Sequence, residues 1–184
     1  MRLFAAVLPP PAAVAELREA LGALPRDEAL RWTAEAGWHF TLAFMGEVGE
    51  PLLPELRVRL ERAAARTAPF SLRLHGSGRF AHRALWTGAA GDIDALRMLA
   101  ERADAAARRA GVPMEQHRRY QAHLTVARAR TEVDLRPYVE AFAGFEGTPW
   151  PVEELHLVRS NLPGGGVPGA QPRYEVVASW PLRG

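Results

Sequence analysis

Two short stretches carry the residue types that could move protons around a phosphate: His39-Phe40-Thr41-Leu42 and His123-Leu124-Thr125-Val126. In each, an imidazole and a hydroxyl stand two residues apart in a run that alternates polar with apolar and is rich in β-branched and aromatic side chains, the pattern of a half-buried strand. Residues two apart on a strand share a face and lie roughly 6.6 Å apart along it, so ring and hydroxyl can address one small anion. Breaking a phosphodiester P–O bond with water takes a base for the water, an acid for the departing oxygen, and donors for the non-bridging oxygens. Histidine suits both proton transfers near neutral pH, and hydroxyls suit the donor role. Two facing histidines, one neutral and one protonated, supply acid and base together, with no metal or cofactor in the scheme. One such pair alone is an ordinary half-buried histidine. The reading rests on the pair returning in the same register.

The elements around these stretches must hold that register. Phe40, Leu42 and Phe44, and likewise Leu124 and Val126, are expected to face the core, since a slip of one residue would bury the histidines instead. Met1 to Leu8 is basic then apolar and is halted by three prolines, Pro9 to Pro11, which predicts a core strand and not a signal peptide. Val14, Leu17, Leu21 and Leu24 predict a helix over 12–24, and Leu30 to Thr33 a short strand. Leu53, Leu56, Leu60 and Ala64 predict a second helix over 52–66. Phe70 to Leu74 alternates as a strand, His75-Gly76-Ser77-Gly78 reads as a turn, and Ala84 to Thr87 as a further strand. A third helix from Asp92 to Ala110 buries Ile93, Leu96, Leu99 and Ala103, with Asp92 as N-cap and Gly111 as stop. A short helix near Leu135 to Phe142, a strand Val152 to Val158, a Gly- and Pro-rich loop Pro163 to Gln171 and a last strand Tyr174 to Trp180 complete the chain. The loop is expected to be a mobile lid or a disordered turn. One tetrad in each half suggests an internal duplication with facing lobes.

Composition narrows the functional classes. A chain of 184 residues, 48% hydrophobic, suits one domain or two small lobes on a shared core. No apolar run approaches the roughly 20 residues of a membrane span, and the absence of cysteine removes disulfides, zinc ribbons and thiol catalysis. A cytoplasmic location is expected. No His-Glu-x-x-His spacing is present, and Gly164-Gly165-Gly166 lacks the strand–helix context of a phosphate loop. All 23 basic residues are arginine, whose fork suits phosphate. Most of them read as a solvated helix face in an arginine-biased composition.

Beyond the tetrads, matching residues run through Arg2-Leu3-Phe4-Ala5-Ala6-Val7, Trp38 to Val48, Leu85-Trp86-Thr87-Gly88, His123 to Arg128, Arg173-Tyr174-Glu175-Val176 and Trp180-Pro181-Leu182. The tetrads resemble the paired His-x-Thr-x signature of the two-histidine phosphoesterase superfamily. The surrounding chain is similar to its bacterial and archaeal RNA 2',3'-cyclic phosphodiesterase branch, formerly called 2'-5' RNA ligase. Ala122 departs from the proline often found there. The resemblance implies an α+β fold over residues 1–184, a single domain of two pseudo-symmetric lobes of mostly antiparallel sheet, with outer helices and a central cleft. It implies hydrolysis of a terminal 2',3'-cyclic phosphate to a 2'-phosphomonoester, with His39 as proton donor, His123 as proton acceptor, and Thr41 and Thr125 on the phosphoryl oxygens. Arg128 matches an arginine that follows the second tetrad, yet strict alternation places it with Leu124 and Val126, so it reaches the site only if the strand twists or ends. Phe4, Trp86, Tyr174 and Phe80 are candidates to stack on a base. His75, His82, His117 and His156 lack a matching threonine and read as surface or structural. The expected partners are RNA ends or small cyclic nucleotides, with no membrane, and the chain is expected to be a monomer. The alternatives are ATP-independent 2'-5' ligation at the same site, a non-catalytic RNA-end binding module, and other substrates of the superfamily such as cyclic ADP-ribose phosphates or 2'-5' oligoadenylates.

Overall fold

The alternating segments of the sequence pair into two antiparallel sheets in the computed structural model, which describes residues 1–165 and 170–184. In chain order the elements are β1 (Arg2–Val7), α1 (Pro11–Gly22), β2 (Leu30–Trp32), β3 (Phe40–Glu47), α2 (Leu53–Ala65), β4 (Phe70–Phe80), β5 (Ala84–Gly91) and α3 (Ile93–Arg109). They continue with β6 (Leu124–Ala129), α4 (Arg136–Phe142), β7 (Trp150–Val152), β8 (Glu154–Asn161) and β9 (Arg173–Pro181). Single 3-10 turns precede β3 at Glu35–Gly37 and α2 at Glu50–Leu52. The first sheet has the order β3-β1-β8-β9 and the second β2-β6-β5-β4-β7. Each tetrad therefore enters a different sheet. His39 immediately precedes β3, and His123 immediately precedes β6.

One apolar cluster underlies both sheets. It joins Leu3, Ala5 and Val7 of β1 and Phe40, Leu42 and Met45 of β3 to Leu56 and Leu60 of α2 and Leu96, Leu99 and Ala103 of α3. Each fully buried leucine contributes roughly 1.5–3 kcal/mol relative to exposure, so this packing holds the strands in register beneath the histidines. Pro11 starts α1 at a position where its missing N–H costs nothing. Gly111, at φ 95°, follows α3 in the left-handed conformation that ends helices. Asp92 occupies the N-cap position of α3 but makes no side-chain cap; its carboxylate instead accepts a 2.9 Å hydrogen bond from the Ser71 N–H of β4.

Three expectations are corrected by the sheets. The stretch His75 to Gly78 is not a turn, because β4 continues through it and absorbs an extra residue as a bulge between His75↔Gly88 and Gly78↔Trp86. Gly76 takes φ 68° there, and its N–H donates to the Phe145 carbonyl at 2.8 Å. The single strand expected over Val152 to Val158 divides at Glu153: β7 pairs with β4 in the second sheet, and β8 pairs with β1 and β9 in the first. The sheets are accordingly not the two halves of the chain, since the first takes its β8 and β9 from the C-terminal end and the second takes β2 from the N-terminal end. The lid expected over Pro163 to Gln171 lies, for residues 166–169, outside the described residues. Among the described residues no helix is long and apolar enough to cross a membrane.

Candidate active site

Matching irregularities in the two strands shape the site. Against β1, Thr41 pairs with Ala6 and Ala43 with Ala5, which leaves Leu42 as an extra residue. Against β5, Thr125 pairs with Trp86 and Ala127 with Leu85, which leaves Val126 as an extra residue. Both bulges fall three residues after the histidine. A bulge inserts one unpaired residue and so reverses which face the following side chains occupy. Phe44, expected in the core with Phe40 and Leu42, is therefore turned outward, is 47% exposed, and lines the cleft. Arg128, which strict alternation sends away from His123, is carried by the Val126 bulge onto the face of His123 and Thr125 and lines the same cleft.

The cleft has a volume of about 360 Å³ and brings together His39, Thr41, His123 and Thr125. Arg2, Arg31 and Arg128 also line it, and among the described residues no carboxylate does. That imbalance gives the cleft an excess of positive charge, which suits an anion. Phe4 and Tyr174 pack on the His39 side, with ring centroids 4.6 Å and 5.1 Å from the imidazole. The Arg2 guanidinium lies 4.8 Å over the exposed Phe44 ring, an arrangement that presents a flat plate at the edge of the cleft. A separate groove of about 450 Å³ between α2 and α3 is lined by arginines and, among the described residues, by no histidine.

Both imidazoles are held alike. His39 Nδ1 donates to the Gly37 carbonyl at 2.8 Å, and His123 Nδ1 donates to the Gln121 carbonyl at 2.9 Å. A nitrogen that donates to a carbonyl must carry its proton, so in the neutral ring Nε2 has the free lone pair. His39 Nε2 accepts the Thr41 hydroxyl at 2.9 Å, which places ring and hydroxyl on one point as the His-x-Thr spacing requires. Burial, aided by the nearby charges of His123 and Arg128, pushes His39 down to about 4 in spite of the Gly37 bond. Burial and then Arg128 also lower His123, against the effect of its bond to Gln121. With no anion present, both rings are neutral at pH 7.

The expected stacking residues separate. Phe4 and Tyr174 line the cleft, whereas Trp86 and Phe80 do not. The Trp86 ring lies flat over Gly78, where an added Cβ would come within 2.2 Å of it, and its centroid is 6.3 Å from that of His123. Phe80 meets His123 edge-on at 4.7 Å. These two form an aromatic wall beside the histidine, and Trp86 opens onto a neighbouring hollow that it lines with His75, Tyr120 and Ala122. His75, His82, His117 and His156 do not line the cleft. Arg2, Arg31 and Gln171 line it, although their local sequence does not single them out. Arg2 is within reach of pattern reading, since it alternates with Phe4 on β1. Arg31 and Gln171 arrive only through pairing of distant segments: Arg31 by the β2–β6 ladder, and Gln171 by accepting from the Ala34 N–H and donating to the Trp32 carbonyl, both at 3.0 Å.

The chain matches the family model of the 2'-5' RNA ligase superfamily over residues 6–163. It is 32% identical over 158 residues to an RNA 2',3'-cyclic phosphodiesterase of Geobacillus stearothermophilus, a match that covers 83% of this chain and 48% of that protein, so the chain spans about half the length of that relative. It is 32% identical over 197 residues to an RNA 2',3'-cyclic phosphodiesterase of Thermus thermophilus, covering 100% of this chain and 91% of that one. The crystal structure of the Thermus thermophilus protein TT0787 superposes with a TM-score of 0.80 at 31% identity, over 100% of this chain and 99% of that one, and shares the α+β architecture. Sequence, fold and the matched span agree: the chain belongs to the 2'-5' RNA ligase superfamily.

Proposed function

We propose that this protein hydrolyses the 2',3'-cyclic phosphate at an RNA end to a 2'-phosphomonoester. The observation that supports this most is the convergence of two His-x-Thr pairs, from different sheets, on one arginine-lined cleft free of carboxylates among the described residues. Relatives named RNA 2',3'-cyclic phosphodiesterases support the choice of substrate.

In this mechanism the neutral Nε2 of His123 takes a proton from water as its oxygen attacks phosphorus. His39, protonated on Nε2 and still bonded through Nδ1 to Gly37, gives that proton to O3' as the P–O3' bond breaks. The product is a 2'-phosphate with a free 3'-hydroxyl, and proton exchange with solvent restores the pair. Thr41, Thr125 and Arg128 hold the phosphoryl oxygens, and Phe4, Tyr174 and Phe44 offer apolar surface to the nucleoside. His39 reaches its acid form through the substrate, because an anion beside a buried imidazole opposes the burial and arginine charges that hold it down. The superfamily's name also supports a parallel reaction, in which the 5'-hydroxyl of an RNA end replaces water as the nucleophile, the P–O3' bond breaks as before, and a 2'-5' linkage forms without ATP. The abundance of water favours hydrolysis.

Incubating the protein with 2',3'-cyclic AMP in the presence of EDTA tests the proposal. Release of 2'-AMP is expected. Binding without turnover would make the protein an RNA-end binding module instead, and release only after an added divalent ion would reject the two-histidine scheme.

A further inference from the structure

We propose that Arg31 is a second guanidinium for the phosphoryl group, serving the charge that develops during hydrolysis; this rests on the reading of the cleft as a phosphodiesterase site. Arg31 sits in the middle of the three-residue strand β2, directly opposite Arg128 in the antiparallel ladder with β6, and both line the cleft. Directly opposed residues hold their Cβ atoms roughly 4.5–5.5 Å apart, and like charges so placed destabilise a sheet. Among the described residues neither arginine forms a salt bridge, and the cleft lining brings no carboxylate. The empty protein therefore carries a repulsive cross-strand pair that an anion held between the two forks would relieve.

The reaction generates such an anion. A 2',3'-cyclic phosphodiester has one negative charge, whereas the phosphomonoester it becomes carries about 1.5 to 2 at pH 7. Arg128, on the strand of His123 and Thr125, accounts for the first charge. As water adds and O3' departs, negative charge accumulates on the non-bridging oxygens, and a second fork gains more in the transition state than in the ground state. An interaction of that kind raises kcat, not merely affinity. The same fork must also hold the dianionic product tightly. Arg31 is thus assigned both an acceleration of the chemical step and the main share of product inhibition.

Arg31→Gln and Arg31→Lys, compared with the wild type, test this through turnover of 2',3'-cyclic AMP, inhibition by 2'-AMP, and the rise in melting temperature caused by inorganic phosphate. For Arg31→Gln, inhibition by 2'-AMP is expected to weaken by about 10- to 100-fold, the range a charge-assisted hydrogen bond carries. Its kcat is expected to fall by more than its KM rises, and its phosphate-induced shift to shrink. Without phosphate it is expected to melt at or above the wild-type temperature, a result that an arginine with a purely structural role would not give. Arg31→Lys keeps the charge but loses the fork, and is expected to fall between the two; it also serves if the glutamine variant does not fold. Wild-type product inhibition and an undiminished phosphate shift in both variants would overturn the assignment. An inactive wild type would instead sink the phosphodiesterase reading, and the phosphate shift would still report on Arg31.

Discussion

His39 is the residue in which the conflict between burial and proton chemistry is sharpest. A ring that must be protonated to act as an acid sits where its pKa is pushed down to about 4, mainly by burial. In the unbound protein the form with one protonated and one neutral histidine is thus a minority at pH 7. The base needs pH above its own pKa and the acid needs pH below, and both values are depressed in the empty site. The bell-shaped profile of kcat/KM, which reports the free enzyme, is expected to lie on the acid side of about 6.5. The kcat profile, which reports the complex, should be displaced upward from it, because the bound anion raises the pKa of the acid. A flat pH–rate profile from about pH 5 to 9 would reject the acid/base pair. Replacing either histidine by alanine is expected to remove on the order of 10²- to 10⁴-fold of turnover with the fold retained.

The same shift predicts a stability effect. An unfolded histidine titrates near about 6.5, so between that value and about 4 the unfolded chain binds a proton that the folded ring refuses. Folding stability is therefore full above about pH 6.5 and falls as the pH drops toward about 4, by about 3 kcal/mol from this group. Denaturant titrations across that window should show the loss in the wild type and a shallower slope in His39→Gln.

At the scale of elements, the two bulges decide which side chains the cleft receives. Leu42 and Val126 are extra residues at equivalent places, and the side chains they redirect, Phe44 and Arg128, differ in chemistry. Near-symmetric strands thus build an asymmetric cleft, because the bulge after His39 turns an aromatic ring into it and the bulge after His123 turns in a guanidinium. Strict period-2 reading locates both tetrads, because His and Thr precede the bulge; it fails for Phe44 and Arg128, because they follow it. Gly78 has a comparable role in β4, since only the absence of a Cβ lets Trp86 lie on the backbone there, with its ring beside His123. Gly78→Ala is expected to lower stability by about 1–3 kcal/mol, as overpacking does, and to reduce turnover by tilting the wall that supports the ring. A melting curve together with Trp fluorescence would check this, and an unchanged Trp environment would refute it.

For the whole molecule, the cleft depends on two sheets being held at a set separation. Gln171, just before β9 of the first sheet, bonds to Trp32 and Ala34 at the end of β2 in the second sheet, and so acts as a side-chain clamp across the cleft. Gln171→Ala is expected to raise KM by a few-fold, with stability reduced by roughly 0.5–1.5 kcal/mol for each hydrogen bond lost. An unaltered KM would show that the separation is set elsewhere. If the cleft takes RNA ends as proposed, the three arginines of its lining make that binding salt-dependent. Because Arg31 and Arg128 share one phosphoryl group and only Arg2 is left for a second phosphate, log KM is expected to rise with log salt at a slope of up to about 1.4, from roughly 0.7 per neutralised phosphate of a single strand.

The sequence alone determined the candidate site residues and most of the elements: two His-x-Thr pairs on strands, amphipathic helices to bury their backs, and a composition free of cysteine. These are local properties, since side-chain periodicity is set by backbone geometry within a few residues. Only the tertiary structure decided that Val152 to Val158 would be shared between sheets, that Phe44 and Arg128 would turn into the cleft, that Trp86 would lie outside its lining, and that Arg31 would oppose Arg128. Each of these follows from which strand lies beside which and with how many residues between successive pairs. That count belongs to the pairing of segments far apart in the chain, and no stretch of sequence contains it.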